Sequence, residues 1–310
     1  MLHQTRTWCM KVIRPITIDT SKVVSSSATE EYEVWVSGKT FAKGGRVVFN
    51  ETIYESLIDA NVDKQPDTHP NDWLAAGASN KMSMFDLQVN TQTKAQETLT
   101  VKFAPGKPFD AVAFLNLVGK HANLTVRDGV GGQVVYTADT DLDNNSLKVI
   151  DWYTYFFEDF DFRSEVIFQN IPPYSTGVVE ITLSSGAGEP VAIGSTSVGT
   201  ITDLGSTQYG LSFGIRDFSV KEFNSDFGTV KFVERAFSKR MNANLLIANE
   251  RLNYITNVLQ SLRAVPTLYV GTDCDPKYTV TAVFGFVKDW NVEIPYYNHS
   301  LISVEINGLI

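Results

Sequence analysis

At 310 residues the chain exceeds one ordinary domain and is long enough for two or three, each with its own apolar core. Its 43% hydrophobic and 20% charged residues are the balance of a globular protein, and a formal net charge of −9 disfavours nucleic acid as a partner. Met1 to Lys11 holds no apolar secretion-signal core, no run is long enough to span a bilayer, and Cys9 and Cys274 form neither a metal spacing nor a disulfide framework. These features predict a protein folded in a reducing cytoplasm, with no membrane insertion.

Residues 10 to 24 alternate apolar and polar through Val12, Ile13, Ile16, Ile18, Val23 and Val24, interrupted by Pro15. That pattern predicts an extended arm or edge strand, and the polar run Ser25 to Thr29 a linker, so 1–30 is set apart as arm and linker. Residues 31–77 read as a small β module. Val34 and Val36 alternate with Glu33 and Trp35, Gly44-Gly45 marks a turn, and Val47, Phe49, Ile53 and Tyr54 suggest a hairpin. The loop from Asn61, with Pro66 and Pro70, needs an anchor, and Trp73 is the aromatic at its end.

Residues 78–200 predict a jelly-roll-like β-sandwich. Short strand candidates (98–103, 111–117, 123–127, 133–137, 165–168, 178–183) alternate with turns such as Pro105-Gly106, Asp128-Gly129 and Ser185-Gly186. Residues 201–310 change texture. The segments 229–237 and 241–247 alternate like paired strands. Leu252, Ile255, Val258, Leu259 and Leu262 then recur at helical spacing, with Asn249 as candidate N-cap and Pro266 beyond the end. Further strands are expected at 267–270, 279–286 and 301–306. The fold class is therefore mainly β and multidomain, closing in an α+β domain with one amphipathic helix.

Three resemblances add to this. Trp35, Phe41, Gly44, Val47, Tyr54, Pro66 and Trp73 resemble the chitin-binding family of carbohydrate modules, with Phe41 for its Tyr and Gly45 for its Asp. That likeness implies Trp35, Tyr54 and Trp73 as carbohydrate-binding residues, although aromatics in so small a module also serve as its core.

The second covers most of the chain. Gly77-x-x-Asn-Lys-x-x-Met-Phe-Asp86, Asp151-Trp-Tyr-x-Tyr-Phe-Phe-Glu158, Ile171-Pro-Pro-Tyr174, Gly210-x-x-x-Gly-Ile-x-Asp-Phe-Ser219, Arg235-Ala-Phe-Ser-Lys-Arg240 and Gly285-Phe-x-Lys-Asp289 are similar, in order, to a phage and prophage structural-protein type. This implies a bacteriophage virion component of the tail or baseplate, made in the host cytoplasm. Its partners are then other tail subunits and further copies of itself. The alternative is a receptor-binding protein that displays the small module and sandwich to a host surface glycan. Third, Phe109–Leu117, Leu124–Gly129 and Gln133–Tyr136 resemble galactose-binding-like jelly rolls in pattern.

Chemistry-bearing motifs are sparse. Asp139, Asp141 and Asp143 sit at alternate positions like the start of a calcium loop, but Asn144 and Ile150 stand where Gly and Glu are needed. An acidic turn is the simpler account. Glu158, Asp159 and Asp161 lie among phenylalanines, with no spacing that predicts paired glycosidase carboxylates. His3, His69, His121 and His299 fall in no nucleophile motif, and no phosphate-binding glycine loop occurs. Lys231, Arg235, Lys239 and Arg240 form the nearest thing to a basic cluster and read as a solvated or interface face. No enzyme and no cofactor is expected.

Overall fold

The computed structural model describes residues 8–143, 151–157, 162–224, 228–272 and 281–309. The protein is mainly β, with several sheets. It divides into two compact units. One comprises Met1–Ile16, Phe109–Val112 and Ser197–Ile310, and the other Thr17–Pro108 and Ala113–Thr196. The long strand Pro190–Thr207 contributes its first residues to the second unit and its last to the first.

The first unit is built on a closed ring of antiparallel strands. Pro190–Thr207 pairs with Cys9–Pro15, which pairs with Thr267–Val270. That strand pairs with Ala282–Glu293, then His299–Gly308, then Phe237–Ala248. Ser206 and Thr207 pair in turn with Leu246 and Leu245, and so close a six-stranded barrel. Alternation supplies its interior. Met241, Ala243, Leu245 and Ile247 of one strand, Ile302, Val304 and Ile306 of the next, and Met10 and Val12 of the first all enter one apolar cluster. Close pairing also dictates Gly199: a Cβ there would lie 1.6 Å from the Arg14 carbonyl oxygen.

The segment expected as an arm is therefore an internal strand. Met10, Val12 and Ile13 are fully buried, and the strand is paired on both sides. An edge strand and a central one share the same alternation; only the long-range partners distinguish them.

The helix Asn249–Ser261 follows directly from strand Phe237–Ala248 and delivers Ile255, Val258 and Leu259 to the barrel cluster, as its spacing predicts. Its cap differs from expectation. Ala248 occupies the N-cap without a side-chain bond. The Asn249 amide instead donates to the Tyr296 and Tyr297 carbonyls at 3.3 and 2.7 Å and accepts from the Ser300 hydroxyl at 2.5 Å. A tertiary use of the amide has displaced the local one.

In the second unit one sheet has the order Val134–Asp141, His121–Asp128, Gly177–Ser184, Thr98–Phe103, Val23–Ser26. Its inward positions include Leu99, Val101, Phe103, Leu124, Val126, Ile181 and Leu183. Other strands of the unit include Glu165–Gln169 and Thr93–Gln96, the latter paired with Pro190–Ile193. Sheets buried on one face in this way are the layers of a β-sandwich. A three-stranded sheet, Arg46–Phe49, Thr52–Ser56 and Trp73–Ala78, belongs to the same unit. Asn50 and Glu51, both at positive φ, make the tight turn of its hairpin. No helix among the described residues is long and apolar enough to cross a membrane.

Candidate functional site

The three aromatics of the small module are drawn together around its core. Trp73 is 2% exposed and clusters with Phe41 and Val47, while Trp35 and Tyr54 pack against that cluster half-buried. Trp73 meets Phe41 edge to face, with centroids 5.5 Å apart, and its indole N–H donates to the Lys64 carbonyl at 2.9 Å. One residue thus fills the core and pins the Pro-containing loop. Trp35 sets its ring against Phe49 at 84°. The expected phase of its segment is reversed: Val34 and Val36 are exposed and Trp35 is the inward residue. Only a single bridge, Val34 to Val48, ties this segment to the sheet, so strand alternation does not govern it.

The acidic run ends a strand rather than forming a loop. Asp139 and Asp141 belong to Val134–Asp141, whose register places Asp141 opposite His121. Both carboxylates turn to that imidazole. Asp139 lies 2.7 Å from Nε2, and Asp141 lies 2.8 Å from Nδ1. Asp143 makes a bridge to Phe162, and positions 144 and 150 lie outside the described residues. Among the described residues no group of three or more His, Cys, Asp or Glu side chains is arranged to hold a metal ion. Glu158, Asp159, Asp161 and Cys274 also lie outside the described residues.

The hydrogen bond to Asp141 is the largest cause of a raised His121 pKa; burial opposes it, and the charge and hydrogen bond of Asp139 add to the rise. The protonated ring is therefore the bound form. Its stabilising effect is fully present below the unfolded value of about 6.5 and is lost as pH rises through the higher folded value. The site is solvated, so the effect is small, under about 1 kcal/mol. The His121 ring protons should titrate above 6.5 by NMR, and His121→Ala should cost stability near pH 6 but not near pH 9. A His121 midpoint below 6.5 would rule the clasp out.

Aromatic exposure is concentrated elsewhere. The short helix Trp152–Phe157 exposes Trp152, Tyr153, Phe156 and Phe157. Trp152 stacks on Phe156 at 6.3 Å, and Tyr153 leans on Phe157 at 5.0 Å. These are the i, i+4 neighbours of a helix.

A different surface stands out in the first unit. Strand Ser212–Asp217 pairs with the first half of Phe237–Ala248, and Val220–Asn224 continues the outward chain to pair with Thr229–Val233. Together they make a two-stranded ribbon. Asp217 faces Phe237, but Val220 faces Val233, so three steps outward are matched by four on the return and a bulge lies between. The expected mutual pairing of 229–237 with 241–247 does not occur. Those segments are successive parts of one returning course, and no turn residue separates them.

No described residue from Ser212 to Phe237 is buried. Yet Phe213, Ile215, Phe223, Val230, Phe232 and Phe237 are exposed, Phe223 at 69% and Phe232 at 67%. Lys221 covers part of Phe232, its ammonium 5.8 Å from the ring, and the Arg216 guanidinium lies 5.2 Å from the Phe218 ring. Lys231 and Arg235 lie on the returning course, with Lys231 opposite Glu222. The ribbon offers strand edges and apolar side chains, which is the equipment for binding protein. Sequence reading missed the ribbon; the signal was the run of aromatics and charges from Phe213 to Phe237 with no alternation that closes a core.

The chain matches no protein-family model, and no curated protein matches it.

Proposed function

We propose that the protein is a structural subunit of a bacteriophage tail or baseplate, assembling through the unit that contains 197–310. The ordered motif likeness across the chain supports the virion part of this reading. The ribbon carries the assembly part. An isolated two-stranded ribbon is marginal in water, and one with exposed phenylalanines gains stability when another protein covers it. Such a segment in a barrel that closes without it is best explained as a contact between subunits.

Excising 212–236 and joining the ends through a short glycine turn tests this. The barrel should still fold, because strand Phe237–Ala248 keeps its pairing with His299–Gly308. The shortened protein should be soluble and absent from particles purified after infection. Normal incorporation would defeat the assembly reading.

A second reading, adhesion to a host surface glycan, draws its support from the exposed aromatics Trp152, Tyr153, Phe156 and Phe157 rather than from the small module, whose Trp73 is committed to packing. Stacking of this kind contributes on the order of 1 kcal/mol per ring. A glycan array with the whole chain, repeated with Trp152→Ala, would show loss of a specific signal if this reading holds.

A further inference from the structure

The outward course of the ribbon has a free edge. Ser212–Asp217 is the last strand of its sheet, and Val220–Asn224 has only Thr229–Val233 beside it, so among the described residues nothing pairs along the other side. Edges of this kind are templates for another strand. The residues along this one read Ile215-Arg216-Asp217-Phe218-Ser219-Val220-Lys221-Glu222-Phe223.

About Ser219 that sequence is a mirror with its charges reversed. Arg216 reflects onto Glu222, Asp217 onto Lys221, Phe218 onto Val220 and Ile215 onto Phe223. In a two-fold symmetric contact residue i meets residue j while j meets i, so an antiparallel edge that pairs with its own copy must have this kind of self-complementarity. Centred on Ser219, such a pairing places four opposite-charge pairs and four apolar pairs directly across from one another. A slip by one residue places Arg216 opposite Lys221 in one direction and Asp217 opposite Glu222 in the other, like charge against like charge. A slip by two leaves every charge opposite an uncharged residue. The register is thus specified both by attraction and by repulsion.

The backbone fits the same axis. The Phe218 N–H donates inward, to the Ala236 carbonyl at 3.4 Å. The next N–H, that of Ser219, is not taken by the returning strand; the Asp217 carboxylate accepts it at 2.9 Å. A partner strand centred on Ser219 can take over that N–H and release Asp217 to meet Lys221 of the other copy.

We propose that two copies of this chain associate through this edge, strand to strand and antiparallel, about a two-fold axis at Ser219. This rests on the assembly reading above and names the partner as a second copy. The contact is small, so the association is weak and concentration-dependent.

The test is a charge swap divided between two proteins. Full-length wild type should sediment as a monomer–dimer equilibrium. Arg216→Glu places two glutamates across the axis twice over, and Glu222→Arg does the same with two arginines. Each variant alone should associate at least about tenfold more weakly than wild type. Mixed in equal amounts, they restore an opposite-charge pair at every crossing, and the heterodimer should form with near wild-type strength. Both sites are exposed, so circular dichroism and melting temperature should be unchanged. Recovery in the mixture also excludes an effect within one chain, such as the position of Glu222 opposite its own Lys231, as the cause of the loss. A monomeric wild type, single variants that associate as well as wild type, a mixture no stronger than its components, or open-ended growth instead of a dimer would each overturn the proposal. A monomeric wild type that still enters particles would do so while leaving the virion reading intact.

Discussion

Trp73→Ala should lower the melting temperature of the second unit by on the order of ten degrees, from a loss of about 3–5 kcal/mol. The size follows from three losses at one position. The ring is 2% exposed and fills a module whose buried apolar cluster is Phe41, Val47 and Trp73, so its removal leaves a cavity that few neighbours can collapse into. The edge contact with Phe41 disappears. The bond from the indole to Lys64 is also lost, and with it the tie that holds the loop before strand Trp73–Ala78. Trp35→Ala should cost less, because that ring is half-buried and rests on the outside of the same cluster. Thermal unfolding followed by circular dichroism compares the two. A Trp73→Ala protein that melts like wild type would show that the indole is not the core of the module.

Val12→Asp should be more damaging still. The side chain lies fully buried in the barrel cluster, between Thr202 on one neighbouring strand and Tyr269 on the other. None of the residues in that cluster is a cation, and the single hydroxyl of Tyr269 cannot replace the water an aspartate loses, so the carboxylate must be buried neutral or force the strand out. Either route costs several kcal/mol, a large share of the stability of an ordinary domain. The expected protein is poorly soluble, or soluble with the barrel open and binding a hydrophobic dye. Phe223→Asp, on the exposed ribbon, is the matched control and should leave the folding stability within about 0.5 kcal/mol of wild type. If residues 9–15 were a loose arm, the two substitutions would be equally mild.

The same barrel holds a polar group with little to satisfy it. Tyr269 is fully buried, and burial pushes its hydroxyl up to about 12. Thr267 lies near enough to offset part of that shift, yet the Tyr269 oxygen has no partner in hydrogen-bond geometry, and the Thr267 hydroxyl is itself given to the Val265 carbonyl.

What was legible in the sequence was local. The helix at Asn249–Ser261 announced itself because Leu252, Ile255, Val258 and Leu259 must share a face, and in the structure that face meets the barrel. Strands such as Thr98–Phe103 and Gly177–Ser184 were readable because every second residue is buried. Partnership was not readable. Cys9–Pro15 carries no mark of its partners near 201 and 269, so it read as an arm. The acidic run read as a loop because the imidazole that engages it sits on the neighbouring strand, 20 residues before Asp141. Asn249 read as a cap because the loop carbonyls that claim its amide are those of Tyr296 and Tyr297, far along the chain. In each case a long-range contact overrode a sound local preference.

The closure of the barrel also fixes an order of events during synthesis. Thr202, the neighbour of Val12 on one side, is made 190 residues after it, since 202 minus 12 is 190. At about 5–20 residues per second, that strand waits roughly 10–40 s for its first partner. Tyr269, on its other side, comes later again. The whole of Thr17–Pro108 and Ala113–Thr196 is made in the interval and can fold before the ring closes. The nascent chain therefore carries an unpaired, apolar strand throughout that interval, so its yield should depend on chaperones that shield such strands far more than its final stability would indicate.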